Sequence, residues 1–342
     1  MGLMNFLSPQ KMFRFMLTIV AISLVIVALV SVALIYMGST WFITPERRDL
    51  ESRHHELLAA PAEHGLQIVS HTVETIDGFA LQTLLATRAT NPGIAARTRR
   101  MLARLHRHGV SPQNNPRGTV ILLHGHGGRK EDMLSIAQRF VAADYRCIVY
   151  DARAHGKSEG RYCTFGSREV NDLSSVLDFY QNQFRSEGSD LGPVGAFGNS
   201  LGAAVVLQSL TSEPRIQAAI AVSPFAQLPE IIISSGRKKI HSRIPSSVIL
   251  ATMKLGGLRA GFDPHAIEPI RHVSKSSTPL FLAHGTLDEV IPIAHSQRMA
   301  DSAGSGSIVW REIHSGYHYN ILAEGGDDLY EEMILFLLEH AG

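Results

Sequence analysis

The hydrophobic pattern divides this chain into one long apolar run and a series of short ones. Phe15 to Met37 carries no charged residue over 23 positions. At about 1.5 Å of rise per residue, such a helix can cross a hydrocarbon core of about 30 Å. Lys11 and Arg14 precede the run, and Trp41 and Phe42 follow where an interfacial aromatic belt would lie. The pattern therefore predicts a short tail over 1–14, a transmembrane helix over 15–37 and a polar stalk over 44–65. A cleaved signal peptide ending near Ser31-Val32-Ala33 is the alternative, although signal cores run to only about 7–15 residues. Arg47, Arg48 and Arg53 on the far side blur the charge bias that would orient the helix.

From Leu66 onward, short apolar runs alternate with stretches of helical period. Leu66 to Thr75 and Phe79 to Thr87, joined at Ile76-Asp77-Gly78, predict a hairpin, because Asp-Gly between apolar runs favours a tight turn. Further strands are expected at 119–123, 146–150, 193–197, 218–223, 279–283 and 308–313. Helices are expected at 130–143, 167–184, 201–211, 293–300 and 327–340. Short, wholly apolar strands suit a parallel sheet buried on both faces. The predicted fold class is α/β, with one domain over 66–342.

Two stretches interrupt the alternation. Residues 91–117 hold Arg97, Arg99, Arg100, Arg104 and Arg107, with Ile94, Met101, Leu102 and Leu105 between them. They predict a basic amphipathic helix, either packed on the domain by its apolar stripe or lying on anionic lipid. Residues 224–277 hold Arg237-Lys238-Lys239 and an amphipathic run from Ile244 to Leu258. This insertion is expected to overhang the strand ends as a lid, or to be a plain helical connection.

The chemistry centres on Gly198-Asn199-Ser200-Leu201-Gly202, set between the 193–197 strand and the helix that follows. Strand, sharp turn with serine at its tip, then helix is the geometry of a nucleophile elbow. Gly156-Lys157-Ser158-Glu159-Gly160 has the same spacing, but no apolar strand leads into it, and it reads as a loop. A serine hydroxyl needs an adjacent base, and the base needs an orienting group. Asp288 stands on a short loop past the 279–283 strand, where a triad acid belongs; a helix N-cap or turn carboxylate is the other reading. Past the last strand, His318 is preferred as the base, with His314 as its competitor. The oxyanion hole is expected from the backbone N–H groups of Leu201 and of His126, in His124-Gly125-His126-Gly127-Gly128. His124 and His126 read as turn scaffolding, because no spaced Asp, Glu or Cys set completes a zinc site. No metal and no cofactor is expected. Asp151 and Arg153 are expected to fix the following loop by charge-assisted hydrogen bonds.

Composition narrows the partners. The 32 Lys and Arg residues nearly balance 31 Asp and Glu, for a formal charge of +1 in 342 residues. That balance offers nothing to nucleic acid. Two cysteines, Cys147 and Cys163, make no disulfide framework, and Cys147 reads as a buried small hydrophobe.

The segments HGHGG, DARAHGKSEG, GNSLG, HGTLDEVIP and GYHYN stand in the order and at the spacing of the α/β-hydrolase superfamily. The chain resembles that superfamily from about Leu66 to the C-terminus. It is most similar to the branch with serine aminopeptidase-like and prolyl-oligopeptidase-like domains, including membrane-tethered members. Gly261 to Ile270 is similar to that branch as well. The resemblance implies a mostly parallel eight-stranded sheet flanked by helices, and a triad of Ser200, Asp288 and His318. It implies a membrane-anchored serine hydrolase that cleaves an ester, thioester or amide through an acyl-enzyme, most simply a carboxylesterase or lipase-like enzyme. Its partners would be a small-molecule or lipid acyl substrate and the membrane. A peptidase of the aminopeptidase or prolyl-oligopeptidase type, an acyltransferase and a non-catalytic scaffold are the alternatives.

Overall fold

The computed structural model describes residues 9–90, 96–239, 244–302 and 306–342. The predicted tail lies largely outside the described residues, as do 91–95 of the basic insertion, Ile94 among them, and 240–243 of the possible lid.

Helix α1 (Pro9–Ile43) contains the whole apolar run and extends past both its ends. It is long and apolar enough to cross a membrane. Thr18 and Ser31 donate their hydroxyls to the carbonyls of Arg14 and Val27 in the preceding turn, so these polar side chains are satisfied within the helix. The last turn enters the folded domain, where Phe42 and Ile43 are buried.

The polar segment after α1 makes specific contacts with the domain. Its arginines find backbone carbonyls of the domain. Arg47 donates to the carbonyls of Gly156, Ser158 and Gly160 at 2.8–3.0 Å. Arg48 donates to Gly127 O at 2.8 Å and pairs with Asp132. Helix α2 (Ser52–Ala59) then buries His54 and Leu57. The segment is a belt fastened to the domain.

Strands β1 (Leu66–Glu74) and β2 (Ala80–Arg88) form the expected hairpin, in register from Leu66 opposite Arg88 to Glu74 opposite Ala80. Helix α3 (Ala96–Arg107) buries Thr98, Met101 and Leu105. Next come β3 (Gly118–Leu123), α4 (Leu134–Ala142), β4 (Tyr145–Tyr150), α5 (Glu169–Ser186), β5 (Val194–Asn199), α6 (Leu201–Ser209) and β6 (Ile216–Val222). The 224–277 region holds α7 (Leu228–Lys239), α8 (Ser246–Ala260) and α9 (Pro269–Val273). The chain closes with β7 (Leu280–Gly285), α10 (Ala294–Asp301), β8 (Ile308–Ile313), α11 (Ile321–Glu324) and α12 (Gly326–His340).

The eight strands form one sheet in the order β1-β2-β4-β3-β5-β6-β7-β8. β2 runs antiparallel to β1 and β4, and the pairs from β4 through β8 are parallel. Central strands are buried along most of their length, and mostly apolar, because both faces are covered. Ile121 and Leu123 of β3 and Ile148 and Tyr150 of β4 face the layer of α5 and α6. Val120, Leu122, Cys147 and Val149 face the layer of α3, α4 and α12.

Ion pairs and close packing tie parts of both insertions to the rest of the fold. The arginines of α3 meet acids of α12: Arg100 pairs with Asp327, Arg104 with Asp328 and Glu331, and His108 with Glu331. Helix α8 crosses the end of α1 closely. A Cβ on Gly256 would lie 2.7 Å from the Phe42 ring, and one on Gly38 would lie 2.9 Å from Thr252 Cγ2. Arg259 of α8 donates to Tyr36 O, Ser39 Oγ and Thr40 Oγ1. Its guanidinium also lies over the Tyr36 ring, at 4.1 Å from the centroid, so one side chain ties α8 to α1.

Candidate active site

The predicted residues all fall at the carboxyl ends of parallel strands, where ligands bind in sheets of this kind. Ser200 follows β5 directly and precedes α6. Its φ of +54° and ψ of −114° place a non-glycine residue in a sparsely populated conformation. The strain is held by packing: Ser200 N–H donates to Val222 O of β6 at 2.8 Å. A Cβ on Gly202 would come within 2.3 Å of Leu123 O, so only glycine lets α6 start this close to β3.

The structure brings Ser200, His318 and Asp288 into one line. Ser200 Oγ is 3.0 Å from His318 Nε2, and His318 Nδ1 is 2.7 Å from Asp288 Oδ2. Asp288 lies three residues past the end of β7, and His318 lies in the loop between β8 and α11. Both are buried, while Ser200 is partly open. The other carboxylate oxygen of Asp288 accepts the N–H groups of Val290 and Ile291 at 2.9 and 2.8 Å. Burial alone would push its pKa up. Hydrogen bonds from His284 and His318 outweigh that and hold it below the ordinary carboxylate range. The carboxylate is thus ionised and aimed at the imidazole.

The rival residues have other positions. His314 is exposed one residue past β8, and the structure joins His318, not His314, to Asp288. Ser158 is buried in a loop, donating to Asp151 O and accepting from Gln82 N–H. Asp151 accepts from Lys130 N, Lys130 Nζ and Lys157 N at 2.7–2.8 Å. Arg153 pairs with Asp172 and Asp77. Ala154 adopts φ +65°, in the left-handed region that favours glycine.

Leu201 is the first residue of α6, whose first-turn N–H groups point toward Ser200 at the positive end of the helix dipole. The loop after β3 lies against the serine: a Cβ on Gly125 would sit 3.4 Å from Ser200 Cβ. His124 braces this loop. It accepts from Ala152 N–H at Nε2 (3.1 Å), so the proton is on Nδ1, which donates to Gly125 O (2.8 Å). Burial lowers its pKa and keeps the ring neutral, against the pull of Asp151. His126 stacks on Phe165, with ring centres 5.7 Å apart, and Phe165 stacks on Phe42 of α1 at 4.8 Å. The end of the apolar helix therefore packs against the support of the β3 loop.

Two features escaped the sequence reading. His284 is a second neighbour of Asp288, at 3.3 Å from Oδ2. Its spacing four residues before the acid, at the end of a strand, was the available signal. The contact of Phe42 with Phe165 joins residues too far apart in the chain for any local pattern to reveal.

Comparison with known proteins fits this architecture. Residues 114–258 match the family described as Serine aminopeptidase, S33. The chain is 26% identical over 193 residues to the uncharacterized protein YqkD of Bacillus subtilis, covering 56% of this chain and 61% of that one. It is 22% identical over 254 residues to a monoacylglycerol lipase of Mycolicibacterium smegmatis, covering 63% and 85% of the two chains. Its structure superposes on an esterase of Pyrococcus furiosus with a TM-score of 0.63 at 19% identity, covering 88% of this chain and 98% of that one. The sheet order and the superposition give the chain the α/β-hydrolase fold.

Proposed function

We propose that this protein is a membrane-anchored serine hydrolase that cleaves carboxylic esters through an acyl-enzyme. Ser200 Oγ attacks the carbonyl carbon, and His318 Nε2 takes the hydroxyl proton. Asp288 fixes the imidazole with Nε2 facing the serine and stabilises the imidazolium that forms. The N–H groups of Leu201 and His126 hold the oxyanion. His318 then passes its proton to the leaving alcohol, and water, activated by the same histidine, releases the acid and restores Ser200. The observation that carries the reading is the hydrogen-bonded line from Ser200 through His318 to Asp288, at 3.0 and 2.7 Å, beginning on a strained serine.

Lipid or other acyl esters are the favoured substrates. The last turn of α1 is buried beside the β3 loop, so a membrane holding α1 would keep the site close to its surface. Leu258 and Val248 of α8 are exposed apolar side chains on the segment that crosses α1. They suit a lid over 224–277 that meets lipid.

The test is labelling of the purified full chain by a fluorophosphonate, with ester hydrolysis measured across acyl-chain lengths in the same samples. Ser200→Ala should lose both signals and Ser158→Ala should keep both. A folded wild-type protein that neither labels nor hydrolyses would sink the reading in favour of a scaffold.

A further inference from the structure

The loops after β3 and β4 gather three soft donor groups beside the site. The ring nitrogens of His126 and His155 and the sulfur of Cys163 offer donor atoms that all lie within 4.8 Å of one another. The central member is His155, which is fully buried. Its Nδ1 lies 2.9 Å from Arg153 O, and a carbonyl only accepts, so Nδ1 carries the proton. Nε2 is left as a bare lone pair, buried and without a hydrogen-bond partner. An unsatisfied buried polar atom costs about 1–3 kcal/mol. A neutral imidazole whose Nδ1–H is fixed on a backbone carbonyl, with Nε2 open, is how a metal-ligating histidine is prepared.

The other two donors complete the arrangement. Cys163 is a fully buried free thiol, and its backbone N–H donates to Ile43 O at 2.8 Å, which fixes the segment against α1. His126 is exposed and closes the cluster from the solvent side, its ring perpendicular to that of His155 at 5.6 Å.

We propose that His126, His155 and Cys163 form a binding site for a soft divalent ion of the zinc class. Two imidazoles and a thiolate, with no carboxylate among them, favour zinc over magnesium or calcium. Tetrahedral zinc requires donors about 3.4–3.6 Å apart, so the cluster must contract by about 1 Å. His126, exposed on a glycine-flanked loop, can supply that movement. As the ion binds, Cys163 releases its thiol proton to solvent, and both histidines bind as neutral rings. The fourth position faces the open side and takes water. The site would tie the β3 loop to the Cys163 segment, and it stands on these donor atoms whether or not Ser200 is a nucleophile.

The experiment is a cobalt titration of the full chain, purified in detergent and stripped with a chelator, followed by displacement with zinc. The expected result is a thiolate-to-cobalt charge-transfer band that saturates at one ion per chain and is abolished by zinc. Cys163→Ser should lose the band, and His155→Phe should weaken zinc binding about 100-fold or more by calorimetry. His126→Ala removes an exposed ring and should weaken zinc binding even if the two buried variants fail to fold. Absence of the band in the wild-type protein, a band that survives in folded Cys163→Ser, or zinc affinity unchanged in His126→Ala would each overturn the proposal.

Discussion

His284 and His318 approach the same carboxylate oxygen of Asp288, at 3.3 and 2.7 Å. The nitrogen that His284 offers, Nε2, also lies 2.7 Å from Ile291 O. A carbonyl only accepts, so Nε2 carries the proton and shares it with the acid. His284 Nδ1 is held by a hydrogen bond with Ser296 Oγ at 2.7 Å. His284 is a positioning residue that shares the Asp288 Oδ2 oxygen with His318 and stabilises the ionised acid. His284→Phe should lower kcat about tenfold, the worth of roughly one charge-assisted hydrogen bond, with KM little changed. His284→Gln should restore part of the loss through its amide donor. A role confined to packing would give the reverse order, with Phe close to wild type and Gln impaired, and steady-state kinetics on an ester distinguishes the two.

Asp288 makes a second, sharper prediction. Asn would keep the shape but place an amide where His318 Nδ1–H now donates, favouring the wrong imidazole tautomer. On that account Asp288→Asn should lose about 10³–10⁴ in kcat. Its effect on stability has a sign. The folded carboxyl titrates below its ordinary range, so it contributes stability above that range, and the contribution is lost as pH falls through the folded value. Asp288→Asn should therefore be less stable than wild type at neutral pH, and the gap should narrow in acid. Urea melts at pH 7 and in the acid range measure it. A constant gap would mean that the charge of Asp288 does not contribute.

The elbow, the hairpin and the strand order of chemistry were legible because each is a local signal. Glycines around Ser200, Asp-Gly at 77–78 and apolar runs of strand length need no distant partner to be read. What was hidden depended on distant partners. On α3, the acids that meet Arg100 and Arg104, namely Asp327, Asp328 and Glu331, lie too far along the chain for any local pattern to display them. The 44–65 segment read as a stalk because its arginines are polar, whereas their partners are backbone carbonyls that no sequence displays. His155 gave no signal at all, since its unpaired nitrogen is a property of burial.

The Phe42 contact predicts that the apolar helix and the domain are not separable without cost. Phe42 stacks on Phe165 with planes 13° apart, and Phe165 supports His126. Phe42→Ala should leave a cavity and destabilise the domain by about 3 kcal/mol or more. Phe42→Leu should cost less than about 1.5 kcal/mol. Ester hydrolysis should fall in the alanine variant, because the β3 loop loses its backing. Thermal melts of the detergent-solubilised protein check the first statement. A Phe42→Ala melt superimposed on wild type would mean that the last turn of α1 contributes nothing to the fold.

His295 gives the clearest pH signature outside the site. Burial lowers its pKa to about 4, opposed by Glu230 and assisted by Arg298 and His284. The ring accepts Ala226 N–H at Nδ1, and Glu230 and Arg298 face it at 3.5 and 3.2 Å. In the unfolded chain the same ring would titrate near its ordinary value of 6.5. Between these values the unfolded state holds the extra proton, so stability must fall as pH drops from 6.5 toward 4. One such proton is worth at most about 1.4 kcal/mol per pH unit. His295→Gln retains an acceptor for Ala226 N–H and does not titrate. Its unfolding free energy should decline less steeply than wild type between pH 6.5 and 4.5, by up to one proton in slope. Parallel pH profiles for the two proteins would show that His295 protonates equally in both states and would refute its buried neutral form.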